Sequence, residues 1–198
     1  MACRVVINKK IITSNNLLII KLFGYLWNGF YNRQVKNNEY NLNTMTMTLY
    51  QKLQQARSEE DVKDAYIKAL GLKGYSKNLI DIQTKEIWFE AKDNSKTSTY
   101  AMFTQLMHYV QQALNKGEYV PPFLCVIDTQ KAAIMKSSDV IPFLEKKTIK
   151  WGKSASSYTP EALDAISAHI GTYFVSFKIA THEEEFIKKK KNAILQGD

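Results

Sequence analysis

The sequence predicts an α/β domain in which helices flank a mixed sheet, and three observations carry that prediction. Two strand-like runs, 78–83 and 86–91, are joined at Thr84-Lys85, a connection too short for a helix. An unbroken apolar run from Phe123 to Ile127 follows Pro121-Pro122 and reads as a buried central strand. Helical patterns precede, separate and follow these strands, the arrangement of a sheet covered by helices.

The elements follow in order. Residues 48–56 are a short helical stretch. Ser58 then reads as an N-cap, with Glu59, Glu60 and Asp61 in the first turn, where acids suit the helix dipole. Val62, Ala65, Tyr66, Ala69 and Leu70 recur at helical spacing until Gly71 and Gly74. After the two strand-like runs, Asp93-Asn94-Ser95 marks a turn. Ser98 caps a helix to about Asn115, its apolar stripe formed by Met102, Phe103, Leu106, Met107, Val110 and Leu114. The strand at 123–127 is followed by a shorter one at 132–135 and a turn or two of helix at 140–146. Thr159-Pro160-Glu161 opens a helix to about Ile170, with proline at the first helical position. Residues 172–179 alternate as a strand does, and Thr181 is expected to cap a charged terminal helix carrying Lys188 to Lys191.

With 198 residues and 45% hydrophobic composition, the chain can bury a sizeable core. Cys3 and Cys125 are too few for a disulfide framework or a cysteine-built zinc site, and Cys125 is expected in the core. His108, His169 and His182 show no metal-ligand spacing, and His108 is expected to be partly exposed. No apolar run reaches the ~18 residues of a membrane span. The net charge is +8, but residues 1–44 hold six basic side chains and one acid, leaving 21 − 18 = +3 for the remainder. The same 44 residues hold nine asparagines against four elsewhere and show no clean period. They read as an atypical N-terminal extension, either loosely attached or packed on the domain as a hairpin or helix. A signal peptide is disfavoured by Lys21 inside the apolar stretch and by the lack of a small-residue cleavage site. The expected organisation is an extension at 1–44, a core at 45–147, and a helix-strand-helix segment at 148–198 packed on or continuing that core.

Chemistry concentrates between Asn78 and Asp93. Asp81 lies in an otherwise apolar run, and Glu90 and Lys92 close another. Burying such groups is costly unless they are paired or bind a metal. Side chains alternate along a strand, so Trp88, Glu90 and Lys92 should share a face. With an even connection Asp81 pairs with Trp88 and joins that face, within ~8 Å of Glu90 on the diagonal. A three-residue connection would send Asp81 to the opposite face. Two carboxylates so placed can hold a divalent cation, with water filling the other positions. The pattern (Asp/Glu)-x-Lys occurs three times, at Asp61-Val-Lys63, Glu90-Ala-Lys92 and Glu145-Lys-Lys147. The first and third stand in helical or charged surroundings and read as solvated faces.

This stretch resembles the PD-(D/E)XK nucleases, with their restriction-endonuclease-like fold. The resemblance spans roughly residues 48–136. It rests on the order helix, acid-bearing hairpin with Glu-x-Lys, crossing helix and strand. Gln105-Leu-Met-His-Tyr109 is similar to the Gln-x-x-x-Tyr motif of the RecB-like and type I restriction branches, and residues i and i+4 share a helix face. Ser58 to Lys63 with Leu70-Gly71 is similar to the first helix of those branches, where a glutamate completes the site; Glu59 and Glu60 are both candidates. Ile80 stands where many members have proline, and residues 148–198 match no motif.

The resemblance implies a Mg²⁺-dependent endonuclease acting on double-stranded DNA, with Mn²⁺ as a substitute ion. It implies Asp81 and Glu90 as metal ligands, Lys92 as the third catalytic residue, and Gln105, Tyr109 and Glu59 or Glu60 in support. It also implies a cytoplasmic restriction-modification system of the type I or type IIG-like kind, with a fused or partner methyltransferase and specificity module and a transient dimer on DNA. The chain is then expected to be a fragment of a longer protein. The alternative from another class is a non-catalytic DNA-binding or assembly module that keeps the fold.

Overall fold

The computed structural model of the chain describes residues 47–195, which belong to one compact unit. The extension at 1–44 lies outside the described residues.

Two capped helices open the unit. Helix α1, Leu49–Gln55, starts at Thr48, whose hydroxyl accepts from the Gln51 N–H while the Gln51 side chain accepts from the Thr48 N–H. Helix α2, Glu59–Leu70, starts with the same box built from Ser58 and Asp61 and ends at Gly71 in the left-handed conformation. The hairpin follows, with β1 at Ile82–Gln83 and β2 at Ile87–Ala91. Helix α3, Thr99–Lys116, is capped by Ser98 and ended by Gly117. Strands β3, Phe123–Ile127, and β4, Lys131–Lys136, form a second hairpin. Helix α4, Ile141–Lys146, helix α5, Pro160–Ile170, strand β5, Val175–Lys178, and helix α6, Ile179–Leu195, complete the order.

The sheet is five-stranded and mixed, in the order β1-β2-β3-β4-β5. Only β2 and β3 run parallel, as their crossover through α3 requires; the other neighbours are antiparallel. Alternation along the strands divides the core in two. Ile87, Phe89, Ala91, Cys125 and Ile127 face α1, α2 and α6. Trp88, Leu124, Val126, Ala133 and Met135 face α3, α4 and α5. Residues 148–195 continue the core, supplying Ile166 and Ile170 to one face and Phe177, Ile179 and Phe186 to the other.

Four expectations need correction. The first strand was expected over 78–83 but pairs only at Ile82 and Gln83, with Asn78 to Asp81 in a bend. The hairpin register differs by two residues from the expected one, because Thr84 closes the turn. Its N–H and hydroxyl both donate to the Ile87 carbonyl, and its hydroxyl accepts from the Glu86 and Ile87 N–H groups. The strand expected from Thr172 begins at Val175. Thr181 does not cap the terminal helix, which begins at Ile179 and kinks at His182. Next to the kink, the Glu183 carboxylate accepts from Leu49 and Tyr50 and so caps α1 instead. None of the described helices is long and apolar enough to cross a membrane.

Candidate active site

β1 is short, and that shortness makes the corner. The register pairs Ile82 with Phe89, so its extension sets Asp81 opposite Glu90, on the same face. The even parity needed to join the two acids is kept, with Asp81 straight across rather than diagonal. The Thr84–Ile87 bond makes residues 84 and 87 a hydrogen-bonded pair, so a continued ladder would pair Ala91 with residue 80. The chain bends away first, and the Ala91 N–H donates to Asp81 Oδ2 at 2.7 Å. One carboxylate oxygen therefore finishes the ladder and leaves Oδ1 for the corner.

Glu90 is the deep member, its side chain only 6% exposed. Burial pushes its pKa up to about 7; Lys92 opposes that rise and Asp81 adds to it. Lys92 lies just beyond β2, held by its N–H on the Ile127 carbonyl. Its Nζ meets Glu90 Oε1 at 2.5 Å and the Ala91 carbonyl at 2.9 Å. Burial works against the Lys92 ammonium, but the charge and hydrogen bond of Glu90 outweigh it and the pKa is raised.

The first turn of α2 brings in the third acid and separates the two candidates. Glu59 Oε2 stands 3.9 Å from Lys92 Nζ. Burial raises the Glu59 pKa, and the neighbouring Asp81 charge raises it further. Glu60 points outward, is 55% exposed, and pairs with Lys77 and Lys63, whose hydrogen bonds lower its pKa. Glu59 therefore joins the corner and Glu60 does not.

From the other face, α3 contributes the expected motif. Burial raises the pKa of Tyr109, and the charges of Glu90, Asp81 and Glu59 add to that rise. Gln105 is buried one turn earlier on the same helix. His108 corrects an expectation, being 7% exposed instead of partly exposed. The Trp151 ring covers it edge-on at 5.2 Å, and Gln112 Nε2 lies 2.8 Å from His108 Nε2.

Sequence reasoning missed Lys63, which it assigned to a solvated face. Its side chain is 12% exposed, and its Nζ lies 2.9 Å from Glu60 Oε2 and 3.5 Å from both Glu59 Oε1 and Asp81 Oδ1. The available signal was its position four residues after Glu59, on the same helix face.

Among the described residues, no group of three or more His, Cys, Asp and Glu side chains is arranged to hold a metal ion. The donor set nevertheless fits Mg²⁺, which is commonly held by one or two carboxylates and keeps several waters. Asp81 and Glu90 supply hard oxygen donors; burial raises the Glu90 pKa and the Asp81 charge adds to it, a cost that a bound cation would relieve. Asp81, Lys92 and Glu59 are 20%, 21% and 37% exposed, so the corner is open to solvent.

Comparison with known proteins finds no matching family model, no matching curated protein and no matching solved structure.

Proposed function

We propose that this chain carries a Mg²⁺-dependent endonuclease domain that hydrolyses phosphodiester bonds in double-stranded DNA within a restriction-modification system. The observation that carries the reading is the meeting of Asp81, Glu90 and Lys92 from adjacent β-segments, joined by Glu59 from α2. Asp81 Oδ1 and the Glu90 carboxylate are the groups that would hold the ion. A bound Mg²⁺ would act there as a Lewis acid and lower the pKa of its water.

The chain's own residues do the rest. Lys92, kept charged by Glu90, positions the attacking water and neutralises charge building on the phosphate. Glu59 orients Lys92 across 3.9 Å. Tyr109 and Gln105 offer a phenol and an amide from one helix face to the phosphate backbone. Glu90 is buried and is held by the Lys92 ammonium on Oε1.

A second reading has one specific observation behind it. Residues 45–198 carry only +3, little for a domain that grips DNA alone. That favours a non-catalytic module keeping the fold. A fused or partner methyltransferase and specificity module, with transient dimerisation on DNA, would supply the missing grip to a nuclease.

Digestion of plasmid DNA with Mg²⁺, Mn²⁺ or EDTA, run beside Lys92→Ala, separates the two. The nuclease reading expects cleavage with either ion, none with EDTA and none from the variant. Cutting by Lys92→Ala at the wild-type rate would end it.

A further inference from the structure

Lys63 is the ammonium standing between Glu59 and Asp81, and neither the Glu-x-Lys motif nor the Gln-x-x-x-Tyr motif includes it. Glu90 already has a close partner in Lys92, at 2.5 Å. Glu59 and Asp81 instead share Lys63 at 3.5 Å each, longer than a well-formed charge-assisted hydrogen bond. The same ammonium has a shorter contact with Glu60, at 2.9 Å, on the solvent side. Three acids in one corner repel one another, and a side chain only 12% exposed sits where it can offset two of them. Because it already pairs with Glu60, it can withdraw from Glu59 and Asp81 without losing its last carboxylate partner.

We infer that Lys63 is a built-in counter-ion that occupies the Glu59–Asp81 side of the corner, competes there with the divalent cation, and moves toward Glu60 when the ion binds. The inference rests on the nuclease reading of this corner and deepens it by naming the residue that sets cation affinity. Lys63 keeps the cation-free corner folded and holds affinity for the ion low. It acts through Glu59 and Asp81, without touching substrate, and is a positioning residue. Removing a like charge a few ångströms from a bound cation should tighten binding about tenfold, whereas a residue that only supports the fold would weaken binding when lost.

The test is calorimetric titration of Mn²⁺ into the full chain, in wild type, Lys63→Met, Lys63→Arg and Glu90→Ala. Lys63→Met should bind Mn²⁺ about tenfold more tightly than wild type, because the competing charge is gone. It should also melt lower than wild type without metal and recover with saturating Mn²⁺. Lys63→Arg should stay near wild-type affinity, and Glu90→Ala should lose binding. Equal or weaker binding by folded Lys63→Met overturns the inference and leaves the nuclease reading standing. Should metal-free Lys63→Met be unfolded, added Mn²⁺ must restore its helical circular dichroism; no recovery overturns the inference. A wild type that binds no Mn²⁺, or a Glu90→Ala that binds as wild type does, removes the nuclease reading and this inference with it.

Discussion

The Asp61-Val-Lys63 and Glu90-Ala-Lys92 segments have the same acid-x-lysine pattern and use it in opposite ways. On β2 and its extension, alternation turns Glu90 and Lys92 to one side, and they pair at 2.5 Å. On α2, two residues make just over half a turn, so acid and lysine diverge. Asp61 turns back to accept from the Arg57 and Ser58 N–H groups, a capping role. Lys63 turns to the residues three and four before it, Glu60 and Glu59, and across to Asp81. A tripeptide pattern therefore carries chemistry only through its backbone period. The third copy makes the same point: Lys147 lies just after a short helix, over the Phe143 ring at 5.3 Å.

The largest test of this contrast is catalytic. Glu90→Ala and Lys92→Ala should each lower Mg²⁺-dependent plasmid cleavage by at least on the order of a thousandfold, with circular dichroism unchanged. Lys63→Ala should stay within about tenfold of wild type, since it acts only through its neighbours. Equal losses would make the two segments equivalent and break the comparison.

The two glutamates that open α2 sharpen it further. Glu59→Gln should slow cleavage about tenfold to a hundredfold by loosening Lys92. At saturating Mg²⁺, Glu60→Gln, which removes the outward pairs with Lys77 and Lys63, should stay within about twofold. Matched initial rates on one DNA substrate decide this.

Titration gives a third test. Burial lifts the Glu90 pKa from 4.5 to about 7, so the folded chain binds this proton more tightly than the unfolded chain. Folding takes up the proton between those values, and the Glu90 contribution to stability falls as pH rises through the window. The swing is roughly 3 kcal/mol, and Glu59 is displaced in the same direction. Melting temperatures of metal-free protein at pH 5 and pH 8 should differ less in Glu90→Gln than in wild type.

The smallest effect belongs to the cap. Ser58→Ala should cost about 1 kcal/mol in denaturant unfolding. Asp61 lies outside the corner, so Asp61→Ala should give a similar loss while the cleavage rate per folded molecule holds.

What the sequence made legible follows from local physics. Ser58, Ser98 and Thr159-Pro160 mark helix starts through their own hydroxyls and ring geometry, and the structure uses all three. Gly71 and Gly117 end helices at positive φ, where glycine is favoured. The apolar run at 123–127 is the central strand, with Cys125 fully buried. What stayed hidden depended on distant partners. Nothing near Thr84 in the sequence shows that its hydroxyl would close the turn and move the register by two residues. Nothing near His182 shows that Glu183 would cap a helix over 130 residues earlier. The Glu-x-Lys signal was visible because its pairing is local, whereas the Lys63–Asp81 contact spans 18 residues and needs the fold.

The lysine run at 188–191 holds one last lesson. Three of the four point to water, but Lys190 is buried and donates to the Leu70 carbonyl at the end of α2. The helix that carries Glu59 and Lys63 is thus tied at its far end by the last helix of the chain. Trimming the protein back to the motif-bearing stretch would cut that strap, and the piece left behind would keep every signature residue while losing the anchor that aims them.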